Sequence, residues 1–309
     1  MADRPLTVLA AGASGLLGSH LARHLIHRGD TVRRLVRRPA TSPEEVQWDP
    51  GAGVLPADAL EDVDVVVNLG GAGVGDHRWT PAYRETILAS RVDGTRLLAG
   101  ALAEEARRRA RAGRPAPRLL QASAVGIYGD RGEEALTEDS TLGSDFLANV
   151  CRAWEGATAP AQEAGVTVTL LRTGIVLAPG GGAVGPLLPL FKAGLGGPLG
   201  GGRQWWPWIS LADHVRAQLH LIDSPLTGPV NVSGPNPQRQ GEVIRALARS
   251  LGRPAFVPVP RLALRVALGP FADDVLASQR MLPSRLLADG FTFLHPRAED
   301  AAAWVGARA

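Results

Sequence analysis

The chain has 309 residues, 45% of them hydrophobic and 20% charged, which suffices for one large α/β core with a smaller companion unit. Formal charge is only +3: 33 Lys and Arg, of which Lys192 is the single lysine, face 30 carboxylates, so the dispersed arginines argue against a nucleic-acid surface. No stretch approaches 18 apolar residues, the start lacks a signal-peptide pattern, and one cysteine, Cys151, excludes an internal disulfide; a cytoplasmic protein without a membrane partner is expected.

The first element is an apolar strand, Leu6 to Ala11. It runs into Gly12-Ala13-Ser14-Gly15-Leu16-Leu17-Gly18 and then a helical pattern from Ser19 to Arg28. Strand, G-x-x-G-x-x-G turn and helix in this order make a dinucleotide-binding βαβ unit. Gly12 permits the tight turn, and Gly15 lets backbone approach a pyrophosphate at the positive end of the helix dipole. Gly18 lets helix and strand pack closely. Candidate cofactor contacts are therefore Gly12, Ser14, Gly15, Leu16, Leu17 and Gly18, against the plainer alternative of a structural turn. The second strand, Thr31 to Val36, ends in Arg37-Arg38-Pro39, with no carboxylate before Glu44. An acid at this strand end favours NAD through the ribose hydroxyls. Two guanidiniums instead favour the 2′-phosphate of NADP, unless they merely form a solvated basic loop.

Val46 to Asp49 reads as a third strand and Val63 to Leu69 as a fourth, leading into Gly70-Gly71-Ala72-Gly73. Residues 80–112 read as a long helix whose Arg107 to Arg114 run is a solvated end. A fifth strand (Leu119 to Ala122), a helix (Asp145 to Gly165) and a sixth strand (Val166 to Leu171) complete a Rossmann-type, doubly wound parallel α/β sheet, with its ligand at the carboxyl ends of the strands. From Pro179 the composition turns glycine-rich around an apolar stretch, Leu187 to Leu195, read as a short helix between loops. Beyond it come Arg203-Gln204-Trp205-Trp206-Pro207-Trp208, a helix to Ile222, a strand at 229–233, a helix at 238–251, a strand from Phe256 to Val259, and helical patterns from Leu276 and Ala298. The division expected is 1–235 for the nucleotide domain and 236–309 for a smaller C-terminal domain.

Several stretches fall in the order of one group: the Gly12 turn, Asn68-Leu69-Gly70, Ser123-Ala124-Val125-Gly126-Ile127-Tyr128-Gly129-Asp130, Arg172-Thr173-Gly174 and Trp208-Ile209-Ser210-Leu211-Ala212-Asp213. The chain resembles the extended short-chain dehydrogenase/reductases of the NAD-dependent epimerase/dehydratase superfamily. Within it, Arg78-Trp79-Thr80, Ser90-Arg91, Asp145-Phe146-Leu147 through Trp154-Glu155, and Gln279 to Phe291 resemble an uncharacterised epimerase-like branch with a C-terminal domain of unknown function. The resemblance implies that residues 180–204 loop over the cleft. It places Asn68, Leu69 and Gly70 beside the ribose and pyrophosphate path, Arg91 on a cofactor phosphate, Val176 against the nicotinamide and Asp49 near the adenine. An ordinary surface ion pair is the alternative for Arg91.

The superfamily reaction uses a Ser/Thr and a Tyr-x-x-x-Lys pair, the lysine lowering the tyrosine pKa. Here Tyr83 and Tyr128 are followed four residues on by Ile87 and Gly132, so the pair is absent. Ser123 and Tyr128 are left as catalytic candidates, with a packed, backbone-bonded Tyr128 as the alternative, and any activity is expected to be reductive. Cys151 reads as a small buried hydrophobe, Lys192 as solvated or anion-binding, and His77 and His214 lack metal-ligand spacing, so no metal is expected. The three tryptophans suit a sugar-like or apolar carbonyl substrate, or anchor the tail. An NADP(H)-dependent oxidoreductase of unknown substrate is the function expected; a non-catalytic NADP(H) sensor or scaffold is the alternative.

Overall fold

The computed structural model describes residues 4–182, 185, 196–255 and 257–309. The first half alternates β1 (Thr7–Ala11), α1 (Leu16–Arg28), β2 (Thr31–Val36), β3 (Glu45–Gln47), β4 (Val65–Asn68), α2 (Pro81–Arg111) and β5 (Arg118–Ala124). There follow a 3-10 turn (Val125–Tyr128), β6 (Ala135–Leu136), α3 (Phe146–Gly156), α4 (Ala159–Glu163), β7 (Val168–Thr173), β8 (Ile175–Ala178) and β9 (Gly181–Gly182). Beyond them lie β10 (Trp205–Trp206), β11 (Trp208–Ser210), α5 (Leu211–Asp223), β12 (Gly228–Val232), β13 (Gln238–Arg239) and α6 (Gln240–Ser250). The last elements are α7 (Arg261–Leu268), α8 (Phe271–Val275), β14 (Arg280–Met281), α9 (Ser284–Ala288) and α10 (Ala298–Gly306).

Seven parallel strands in the order β12-β7-β5-β4-β1-β2-β3 form the central sheet. Alternation along each strand feeds two cores. Val8, Ala10, Val65 and Val67 face α1 and α5 through Leu21, Leu25, Ala217 and Leu221. Leu9, Ala11 and Val66 face α2 through Leu98 and Leu102. Both faces of β1 and β4 are buried, which is why these two strands read as apolar runs. The winding reverses between β1 and β4, so the ligand-binding end of such a sheet lies at their carboxyl termini.

Four expectations are corrected. The sheet has seven strands where six were expected: the strand expected at 229–233 is β12, paired in register with Thr169 to Thr173. The helix expected from Asp145 to Gly165 breaks after Gly156, and Pro160, which cannot donate an amide, sits in the first turn of α4. Arg109 leaves the solvated run; it is 5% exposed, pairs with Glu105 and donates to the carbonyls of Leu60 (3.1 Å) and Val63 (2.8 Å). Of the expected strand from Phe256, the described residues retain one bridge, Val259 to Leu199. The helix expected over Leu187 to Leu195 lies outside the described residues.

The tail is woven into the first half. β14 pairs with β6, β13 with β10, and α6 and α10 pack on Trp206 and Trp208. Asp213, fully buried at the start of α5, accepts hydrogen bonds from the amides of Leu294 (2.7 Å) and His295 (2.9 Å), from Arg216 (3.1 Å) and from the Ser210 hydroxyl (3.1 Å). Asp213→Ala strands these donors and should lower unfolding stability by about 3 kcal/mol, read as a drop in urea midpoint with an unchanged m-value.

Candidate functional site

At Gly12 the turn after β1 presses on the end of β4. Its φ is +73°, and a Cβ there would lie 2.7 Å from the Leu69 carbonyl carbon and 3.0 Å from the Gly70 nitrogen. Gly18 is equally constrained, since its Cβ would meet the Gly12 carbonyl at 2.3 Å. Only glycine fits at either position. Gly15, the N-cap of α1, donates to the Gly12 carbonyl at 3.0 Å, and no side chain caps the helix and no acid sits in its first turn. The first-turn amides of α1 therefore lack side-chain acceptors beside an exposed Ser14 and Gly15, an arrangement suited to an anion. Leu16 and Leu17 hold the helix start against Ala178, Leu211 and Val215, with Val176 of β8 in the same cluster.

Asn68 serves this turn from beneath. It is 2% exposed; its Nδ2 donates to Thr95 (3.0 Å) and Gln121 (2.9 Å), while its Oδ1 accepts from the Gly70 amide (3.2 Å). Asn68 does stand at the end of β4, with both its amide hydrogens engaged within the protein. What it does is fix the path of Leu69 and Gly70.

At the end of β2 the two arginines divide. Arg38 donates to both oxygens of Glu45 (2.7 and 2.6 Å), whose carboxyl is held down to about 2 by that contact and by Thr41. Glu45 is paired in register with Arg34, so a carboxylate does stand beside the β2 end, brought there by β3. Arg38 neutralises it. Arg37 is exposed and enters no ion pair among the described residues. Asp49 uses its carboxylate to cap its own turn, accepting from the Ala52 amide at 3.1 Å.

Arg91 lies along the Gly70–Ala72 loop. Its Nη1 donates to the carbonyls of Ala72 (2.9 Å) and Ile87 (3.0 Å), and its guanidinium sits 5.0 Å from the centre of the Trp154 ring. A Cβ on Gly71 would come within 3.2 Å of it. Burial pushes its pKa down, and no carboxylate offsets that burial. The surface ion pair held open as an alternative is absent among the described residues. A mostly buried cation whose Nε and Nη2 have no partner among those residues has donors to offer at the cleft.

Ser123 and Tyr128 are corrected as catalytic candidates, because both are built into the core. Ser123, 3% exposed, donates to Glu155 at 2.6 Å. Tyr128 has no exposed surface; its hydroxyl donates to Asn231 (2.6 Å) and accepts from Arg172 (3.0 Å). Arg172 also grips Glu155 with two bonds (2.9 and 3.0 Å) and reaches the Glu138 carbonyl (3.2 Å). Burial raises the Tyr128 pKa above its ordinary value, although Arg172 opposes the shift. In the sequence Arg172 and Glu155 stand out only as members of recurrent motifs, and Asn231 carries no local signal.

Burial pushes the Cys151 thiol up to about 12, as suits an inert core residue among Val125, Ile127 and Met281. His214 is pushed down to about 4 and is neutral at pH 7, bonded to Thr173 and Gln218. No metal-binding group of three residues exists among the described residues. Of the two roles left open for the tryptophans, Trp206 and Trp208 take that of buried anchors, and Trp205 has guanidiniums of Arg239 (4.0 Å) and Arg280 (4.8 Å) over its ring. Lys192 lies outside the described residues.

A family model described as the NAD dependent epimerase/dehydratase family matches residues 8–233. The chain belongs to that family. A second model, a domain of unknown function (DUF1731), matches residues 259–305 of this family member. Epimerase family protein Mb2239 of Mycobacterium bovis is 43% identical over 290 residues, covering 93% of each chain. The chloroplastic SDR39U1 homolog of Arabidopsis thaliana is 34% identical over 310 residues, covering 97% of this chain and 86% of that one. The crystal structure of human epimerase family protein SDR39U1 (isoform 2) with NADPH superposes with a TM-score of 0.87 at 29% identity, covering 98% of this chain and all of that one. No helix among the described residues is long and apolar enough to cross a membrane.

Tyr128→Phe leaves Asn231 and Arg172 short of a partner in the core. It should reduce unfolding stability by about 1–3 kcal/mol in urea titrations while leaving nucleotide affinity unchanged.

Proposed function

We propose that this family member binds NADP(H) at the carboxyl ends of β1 and β4 and reduces a small organic carbonyl compound, sugar-like or apolar, by a proton route that avoids Tyr128. The observation that carries the reading is the division of labour at the β2 end: Arg38 cancels Glu45 while Arg37 remains free for a 2′-phosphate. The NADPH-bound human relative supports the same cofactor.

The residues present fit that cofactor. Glycine at 12 and 18 is sterically required, and the uncapped α1 start with Ser14, Gly15, Leu16 and Leu17 offers amides to a pyrophosphate. Leu69 and Gly70, held by Asn68, line the opposite side, and Arg91 supplies the second cation. Val176, half-buried on β8, closes the apolar side. When bound, the cofactor supplies a hydride. Arg37 discriminates between the two nicotinamide nucleotides, Arg38 keeps Glu45 from repelling phosphate, and Arg91 orients what lies along the β4 loop. With a single cysteine no internal disulfide forms, which is in keeping with a reducing compartment such as the cytoplasm.

A second reading, a non-catalytic NADP(H) sensor or scaffold, draws on one observation: Ser123 and Tyr128 are both spent on the core. NADPH consumption across a panel of aldehydes, ketones and sugar nucleotides separates the two. Turnover with any of them establishes the reductase; tight NADPH binding without turnover favours the sensor.

Affinity measurements test the site itself. Arg37→Asp should weaken NADPH roughly 10- to 100-fold and hardly change NADH, as expected from losing a charge-assisted contact of about 1.5–3 kcal/mol. Arg91→Ala should weaken both nucleotides. Equal wild-type affinities for NADPH and NADH would refute the assignment of Arg37.

A further inference from the structure

Seven residues before Arg91, on the same side of α2 and two turns nearer its start, stands Arg84. Its guanidinium carbon lies 4.9 Å from the centre of the Phe146 ring and 5.5 Å from that of Trp79. Trp79 in turn meets Phe146 edge-on at 5.0 Å and Phe271 at 5.3 Å. Two rings thus flank one cation, Trp79 just before α2 and Phe146 at the first residue of α3, and Phe271 at the start of α8 backs Trp79. Arg84 makes no ion pair or hydrogen bond among the described residues, and its Nε is buried without a partner. Unlike Arg38, Arg109 or Arg172, it is not spent on a carboxylate within the protein.

Asp274 of α8 is close enough to feel Arg84 but does not pair with it. The charges facing Asp274 are Asp145 at the α3 N-cap, Asp273 on its own helix and Arg84 from α2. The neighbouring loop adds Asp76, His77 and Arg78, of which Arg78 is bound to the Val266 carbonyl and His77 packs edge-on against Tyr83.

We propose that Arg84 and its frame of Trp79, Phe146 and Phe271 bind the carboxylate group of a small organic anion. With Nε buried, the terminal Nη1/Nη2 edge is what Arg84 can offer, and two parallel donors match a planar carboxylate. Phe146, half-buried beside the guanidinium and backed by Trp79 and Phe271, offers an apolar surface to the body attached to that group. Asp145 and Asp273 add negative charge nearby, which disfavours a phosphate dianion relative to a monoanion. Burial first, then Asp145 and Asp273, hold the Asp274 carboxyl up to about 7. Below that pH Asp274 is neutral and does not repel the ligand; above it a further negative charge appears. Binding should therefore strengthen as pH falls from 8 to 6, with a proton taken up by Asp274.

The test is calorimetry on the full chain with benzoate, which is ionised throughout that range, at pH 6 and pH 8, with and without NADPH. One saturable benzoate site is expected, several-fold tighter at pH 6. Arg84→Gln should weaken it at least tenfold, and Asp274→Asn should keep the site but remove its pH dependence. Equal urea midpoints for Arg84→Gln and wild type exclude misfolding as the cause. Absence of saturable benzoate binding, unchanged binding in Arg84→Gln, or preference for inorganic phosphate each overturns the proposal. The site stands apart from the nucleotide reading, because failure of NADPH to bind leaves the benzoate measurement intact.

Discussion

A guanidinium buried beneath a helix has to find an acceptor for every edge, and Arg172 sets that condition for this molecule. Removing such a charge from water costs several kcal/mol unless each N–H is matched. Glu155 takes two bonds, Tyr128 one and the Glu138 carbonyl another. Each acceptor is then fixed in turn: Glu155 draws α3 over β5 through Ser123, and Tyr128 ties the 3-10 turn to Asn231 of β12. The Glu138 side chain accepts from the amides of Asn231 and Arg285, which brings in the tail. One buried charge thus orients the elements along the β5–β7 side of the sheet.

The other side works by the opposite rule. At the start of α1 and on the free edge of Arg91, donors are held in place without side-chain acceptors among the described residues. The contrast is chemical: the Arg172 guanidinium on β7 is matched inside the protein, while the first-turn amides of α1 and the Nε and Nη2 of Arg91 have no side-chain acceptor among the described residues. Tyrosine and serine, the residue types expected to react, lie on the matched side. Arginine and backbone amides lie on the unmatched side, a division that favours holding an anion over moving a proton.

Local features were legible in the sequence. The β1 strand, glycine turn and α1 announce themselves because every requirement, from the positive φ of Gly12 to the apolar face of the helix, is met within about twenty residues. Roles set by distant partners were not. Arg37 and Arg38 look alike until β3 delivers Glu45 beside the β2 end. Tyr128 looks reactive until Arg172 and Asn231, 44 and 103 residues further along, close over its hydroxyl. Asn68 was placed correctly at the strand end, but its direction depends on Thr95 and Gln121. The edge strand β12 was recognised as extended, whereas its place in the sheet is a matter of pairing that periodicity does not encode. Arg84 gave no signal at all, since one arginine among so many has meaning only once Phe146 and Phe271 arrive from other elements.

The interlacing of the tail with the first half bears on how the chain reaches this state. Gln279 donates to the carbonyls of Val125 and Gly129, partners 154 and 150 residues earlier, and β14 completes β6. As the ribosome delivers the chain, the sheet can assemble well before these residues appear, but Asn231 and Glu138 must then wait with hydrogen-bonding groups unmet. Such long sequence separations slow the final closure and prolong a state with exposed polar and apolar edges. The tail segment therefore acts as a clasp, because its closure joins groups some 150 residues apart in the chain.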